Sequence, residues 1–258
     1  MKKIWNYITV PIVAIMLSGC AGSLSSPVPG GKIAYDNKDD ASYIVFSRPE
    51  FVGAALSNTI VEFDPNTYVT KYIGTLGPQT KLVYKTAPGT HYFYMGGGEN
   101  DDMIKINTKK STEYYIHTAV GMGIMVGRFY FKPLRYPSLA MAESLKGKVC
   151  TSATFNQYGF KVVKDEVTEL TGELKYYSEK HHINIECYRG VIKKASYDGE
   201  SLSDINDAKL IQPNEEGKAY YNEHVSNYIK EIKEDFASWK LNDMSKTVVL
   251  PNDGKSIK

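Results

Sequence analysis

The chain has 258 residues, 42% hydrophobic and 23% charged, with a formal net charge of +2. Those values fit a folded globular chain with its own core, and they exclude a disordered chain, a collagen-like fibre and a polytopic membrane protein. Aromatic residues reach 12%, with 20 Tyr against 9 Phe and 2 Trp, a usage that favours pleated sheet over a helical bundle.

Lys2 and Lys3 precede a short apolar run from Ile8 to Leu17, broken only by Thr9 and Pro11. A basic start and a short apolar run read as an export signal, too short to span a bilayer as a stable helix. The run ends in Leu17-Ser18-Gly19-Cys20, which resembles the bacterial lipobox. The resemblance implies a signal peptide over 1–19, cleavage before Cys20, and acylation of Cys20 as the attachment to a lipid bilayer. Position 21 is Ala, not the Asp that holds many such proteins at the inner membrane, so the expected address is the outer membrane, facing the periplasm or the cell surface. Residues 20–31 then read as the lipidated Cys and a flexible tether reaching at most roughly 35–40 Å.

Loss of Lys2 and Lys3 from 31 basic residues leaves 29 against 29 acidic ones, a neutral mature chain. Such a chain lacks the electrostatic footprint of a nucleic-acid binder. Setting Cys20 aside leaves Cys150 and Cys187, a pair in a compartment that permits disulfides. They form either one disulfide or two separate buried thiols.

From Ala41 onward the hydrophobic period is two. Strands are expected at Ala41–Ser47, Thr59–Asp64, Tyr68–Gly74, Thr80–Lys85, Thr90–Met95, Met103–Asn107, Glu113–Val120 and Arg128–Lys132, separated by turn-formers such as Pro65-Asn66 and Pro88-Gly89. Eight strands with no helical pattern between them argue for a mainly β fold, an antiparallel β-sandwich over 32–135. Within it, Ser42 to Gly53 (with Arg48-Pro49 and Phe51-Val52-Gly53), Ile73 to Leu76, Ala87 to His91, Lys110 to Ile116 and Gly121 to Phe129 resemble, in order, segments of the domain-of-unknown-function 2846 lipoproteins. The resemblance covers about 40–135. It implies an exported, lipid-anchored β-sandwich and no assigned activity.

Residues 136–212 read as a β-rich extension or small subdomain: a short helix from Ser138 to Lys146, strands at Thr151–Val163, Val167–Tyr177 and Ile183–Ala195, and a polar loop from Asp198 to Asp207. Residues 213–258 read as an amphipathic helix over about 215–240 and a polar tail, in which Val248 to Leu250 offers an edge strand. Pro213-Asn214-Glu215-Glu216 supplies a breaker, a capping side chain and first-turn acids. Tyr221, Val225, Tyr228, Ile232, Phe236 and Trp239 recur at helical spacing. This stripe packs on the chain's own sheet or docks on a partner protein.

The chain has no GxSxG, SxxK or HExxH motif. Of its five histidines, His91, His117, His181, His182 and His224, only 181 and 182 are adjacent, and neighbours on a strand point to opposite faces. Gly96-Gly97-Gly98 has no following Lys-Ser/Thr. Asp101-Asp102 and Asp36, Asp39 and Asp40 read as solvated loop acids. Tyrosine doublets at 114–115, 176–177 and 220–221 each offer one outward ring for stacking on sugars or partners. The expectation is an envelope lipoprotein with no catalytic residues, metal or cofactor, acting as a structural or interaction module for another envelope protein. An unrecognised hydrolase or glycan-processing site and a carbohydrate- or ligand-binding module are the alternatives.

Overall fold

The computed structural model describes residues 24–36, 40–51, 53, 55–97, 100–121, 123, 127–157, 164–168, 173–178, 182–241 and 248–257. Residues 1–19, expected as a signal peptide, and Cys20, Asp39, Gly98 and His181 lie outside the described residues. In chain order the elements are β1 (Ser25–Pro27), β2 (Ser42–Arg48), β3 (Asn58–Phe63), β4 (Thr70–Leu76), β5 (Thr80–Thr86), β6 (Gly89–Gly96), β7 (Asp102–Thr108), β8 (Thr112–Gly121) and β9 (Arg128–Leu134). Then come α1 (Tyr136–Leu145), α2 (Ser152–Gln157), β10 (Lys164–Thr168), β11 (Glu173–Ser178), β12 (Ile183–Tyr188), β13 (Val191–Tyr197), α3 (Leu202–Asp207), β14 (Lys209–Pro213), α4 (Glu215–Leu241), β15 (Val248–Val249) and β16 (Lys255–Ser256).

The alternating segments between 41 and 134 fold as β2 to β9 and form a sandwich. One sheet runs β1-β14-β5-β2-β8-β16 with β9 beside β8, and the other runs β15-β7-β6-β3-β4. Both sheets are mixed, which corrects the antiparallel expectation: β2 and β8, β14 and β5, and β15 and β7 pair in parallel. The cause is the route of the chain, which leaves β2 for the opposite sheet, returns as β5, crosses again, and comes back as β8 on β2's free side. Ile44, Phe46, Ile60, Phe93, Ile104, Ile116 and Phe131 fill the space between the sheets. At one end Asn100 spans the gap, its Nδ2 donating to the Phe129 carbonyl (2.8 Å) and its Oδ1 accepting from the Phe129 N–H (2.9 Å). Asp102 accepts from the Phe131 N–H at 2.6 Å, so it is a half-buried linker and not a solvated loop acid; desolvation pushes its carboxyl up to about 6.

Each sheet is also covered on its far face. Helix α4 lies on the second sheet, where Tyr221, Tyr228, Ile232 and Phe236 bury against Val61, Phe63, Tyr94 and Met103, with Val225 and Trp239 packed alongside. The stripe offered as a docking surface is therefore internal, and a partner reaches it only by lifting the helix. Asn214 caps α4, its Oδ1 accepting from the Gly217 N–H at 2.8 Å. On the first sheet, α1 and α3 bury Leu139 and Ile205 against Val45, Tyr115 and Leu134. Beyond them β10 to β13 form a separate four-stranded sheet. β2 is thus buried at all seven positions, polar ones included.

Several local expectations between 151 and 207 change. The start of the Thr151–Val163 strand is helix α2, whose first turn Thr151 caps by accepting from the Thr154 N–H (3.3 Å). Val167–Tyr177 divides between β10 and β11, which pair antiparallel. Ile183–Ala195 is a hairpin, turned at Arg189 (φ 49°) and Gly190 (φ 73°); two successive left-handed residues match the twist of the strands they join. The polar loop holds α3.

Part of the segment expected as a flexible tether is built into the sheet. Ser25, Ser26 and Pro27 pair with Pro213, Gln212 and Ile211 as an edge strand, where a proline costs no ladder bond. The Tyr72 hydroxyl donates to the Leu24 carbonyl at 3.2 Å, and Ser25 Oγ donates to the Thr75 carbonyl at 2.8 Å. Gly217 admits this strap, since a Cβ there would stand 2.1 Å from the Leu24 oxygen.

Candidate functional site

β2 and β8 set Ser47 beside His117, and β8 and β9 set His117 beside Lys132. His117 lies on the face of the first sheet that the 136–208 unit covers, and its side chain is fully buried. Glu50, just past β2, places Oε1 2.6 Å from Nε2, and Glu200, from the loop after β13, places Oε2 2.5 Å from Nδ1. Lys132 Nζ stands 3.0 Å from the other Glu200 oxygen and donates to the Asp198 carbonyl at 2.5 Å. Arg48 anchors the loop that carries Glu50, its guanidinium donating to the carbonyls of Leu56 (2.6 Å) and Gly53 (2.7 Å) and lying 5.3 Å over the Phe129 ring.

The electrostatics favour a charged ring. Burial opposes the imidazolium, but Glu200 and Glu50 outweigh it and raise the His117 pKa above its ordinary value. Burial likewise works against the Glu200 carboxylate, yet His117 and Lys132 hold its pKa below the ordinary value. The carboxylate oxygens stand off the ring N–H directions, so these are charge pairings more than aligned hydrogen bonds. Ser47 Oγ is buried beside them with no hydrogen-bond partner among the described residues. Glu50, His117 and Glu200 each bring one ligand atom within 4.8 Å of the others. The two carboxylates nevertheless approach opposite nitrogens, and an imidazole offers one lone pair to one metal. With Lys132 already on Glu200, the set suits a buried ion-pair node that joins two parts of the fold.

A second grouping sits at the open end of the sandwich, in a cleft of about 750 Å³ lined by Glu62, Lys71, His91, Tyr92 and Lys105 among others. His91 Nδ1 is 2.6 Å from Glu62 Oε1 and its Nε2 is 2.9 Å from the Ala87 carbonyl. Tyr84 donates to Glu62 Oε2 at 2.6 Å, and Lys71 donates to Tyr84 at 2.9 Å. Both ring nitrogens of His91 face acceptors, which favours the doubly protonated ring. Burial opposes that charge, but Glu62 and the Ala87 carbonyl prevail and the pKa rises. A ring in that state has no lone pair to act as a base.

The remaining expected residues separate. Cys150 and Cys187 form a disulfide with Cα atoms 6.1 Å apart, stapling the segment after α1 to β12. Ser42 donates to the Lys109 carbonyl at 2.8 Å. Tyr114 and Tyr115 are both buried, because both faces of β8 are covered; Tyr221 is buried and Tyr220 is 40% exposed. The side chains of Tyr176 and Tyr177 are outside the described residues. Sequence reasoning gave no role to Glu50, His117 or Glu200, which are far apart in the chain; the one sign was a histidine within a strand pattern that otherwise reads as core. Comparison with protein-family models, curated proteins and solved structures found no match.

Proposed function

We propose that the chain is a lipid-anchored envelope protein at the outer membrane, serving as a non-catalytic structural or interaction module. The lipobox-like Leu17 to Cys20 supports the anchor. The observation that carries the non-catalytic part is the closure of the His117 node: its imidazole is fully buried and faces a carboxylate at each nitrogen. Proton transfer to a substrate needs an accessible nitrogen within hydrogen-bond reach, and His117 presents none. Partner contact falls to apolar side chains left in solvent. Phe51 is 67% exposed on the Glu50 loop and Tyr130 is 43% exposed on β9. In-cell crosslinking of a C-terminally tagged chain should capture one stoichiometric envelope protein, and the Phe51→Glu/Tyr130→Glu variant should lose it while keeping its fold. Capture of nothing, or equal capture by both chains, contradicts the interaction role.

The cleft beside Glu62 favours a second reading, a module that binds a polar small ligand or glycan, since its lining combines charge with the Tyr92 ring. Ligand binding weakened by Lys105→Ala, without a captured protein, would favour it.

A further inference from the structure

We infer that the bilayer surface is the standing neighbour of the sandwich edge formed by β1 and the first turns of α4. The inference rests on the lipid-anchored reading above and adds an orientation to it. Only Ala21, Gly22 and Ser23 separate Cys20 from Leu24, so the two Cα atoms are at most about 14 Å apart. From Leu24 onward the strap belongs to the body: Tyr72 holds the Leu24 carbonyl, Ser25 holds Thr75, and residues 25–27 complete the sheet. Gly217 leaves no room for anything but this strap at the start of α4.

The leash is shorter than the sheet is wide. β1 lies at one edge and β16 at the other, five strand spacings away, or roughly 24 Å. A membrane-bound chain therefore keeps its β1 corner at headgroup level while the β16 edge has no such restraint. The chemistry of the corner suits that place. Tyr220 and His224 stack with ring centroids 4.2 Å apart, and both line a cavity of about 270 Å³ with Leu24. Exposed tyrosine, apolar in body and polar at the tip, is favoured at a membrane–water interface. Lys218 stands 2.6 Å from Glu215, which leaves Glu216 as the net charge of the first turn.

The test uses the acylated full chain in vesicles of phosphatidylethanolamine and phosphatidylglycerol carrying a headgroup nitroxide. One fluorophore is placed through Ala219→Cys, an exposed position at the start of α4, and another through Asn252→Cys, in the turn before β16. The label at 219 should be quenched severalfold more than the label at 252. Insertion of a Gly/Ser linker of about 20 residues between Ser23 and Leu24, roughly 25 Å in root-mean-square span, should erase the difference. Equal quenching at the two positions, or a difference that survives the insertion, overturns the orientation and leaves the anchor standing. Intact mass of the same sample separates the two failures, because a chain without acyl groups on Cys20 overturns both readings.

Discussion

Glu200 reaches out of the 136–208 unit to place its carboxylate 2.5 Å from Nδ1 of His117 on the sandwich. The contact adds a charge pairing to the apolar seam where Leu139, Tyr197 and Ile205 meet Val45, Tyr115 and Leu134, so its loss should loosen one part from the other. Breaking a buried ion pair from one side strands the other partner, at about 3 kcal/mol or more. Glu200→Ala should therefore lower the urea midpoint, and exchange at the amides of α1, α3 and β13 should rise before that of β3 and β6. The His117→Phe/Glu200→Leu double variant, which removes both partners of this pair, should cost less than Glu200→Ala alone.

The pH dependence has a defined sign. His117 titrates above its ordinary value of 6.5, so its stabilisation is complete below 6.5 and is lost as pH rises through the raised pKa. Glu200 titrates below 4.5, so its stabilisation is complete above 4.5 and is lost as pH falls through the lowered pKa. Glu50, Lys132 and Arg48 are the other charged groups around the node. The stability difference between the native chain and His117→Gln should be largest between these limits and shrink on the alkaline side; thermal unfolding across pH 5 to 9 measures it.

The disulfide closes a segment with a sequence separation of 37, and the chain-entropy relation assigns such a loop about 4 kcal/mol. A Cys150→Ser/Cys187→Ser variant should keep a folded sandwich and lose protection chiefly in β12 and β13. Non-reducing gels of the native chain should show faster migration than reduced samples, with no free thiol at either position.

Gly217→Val tests the strap. Overpacking against the Leu24 carbonyl should displace residues 24–31 at about 1–3 kcal/mol, leaving α4 capped by Asn214. Limited proteolysis should cut the variant between 24 and 31 and spare the native chain.

Much of this fold is legible in the chain where one rule governs one segment. β3 to β9 follow from alternation and turn residues, and α4 from its stripe of about five turns and the Asn214 cap. The failures have physical causes. Parallel pairing of β2 and β8 depends on chain crossing, which no local pattern records. β2 is buried on both faces, so Arg48 looks like a surface charge until the Gly53 and Leu56 carbonyls and the Phe129 ring enclose it. β1 is three residues long and contains a proline, and only its pairing with β14 makes it a strand. The His117 node assembles residues 50, 117 and 200 by topology alone, whereas Cys20 owes its reading to four consecutive residues.

Acylation of Cys20 is read from the mass of the N-terminal peptide of chain purified out of the membrane fraction. The expected peptide begins at Cys20 and carries a diacylglyceryl thioether. A peptide beginning at Met1, or a Cys20 thiol free to react with a labelling reagent, would contradict it.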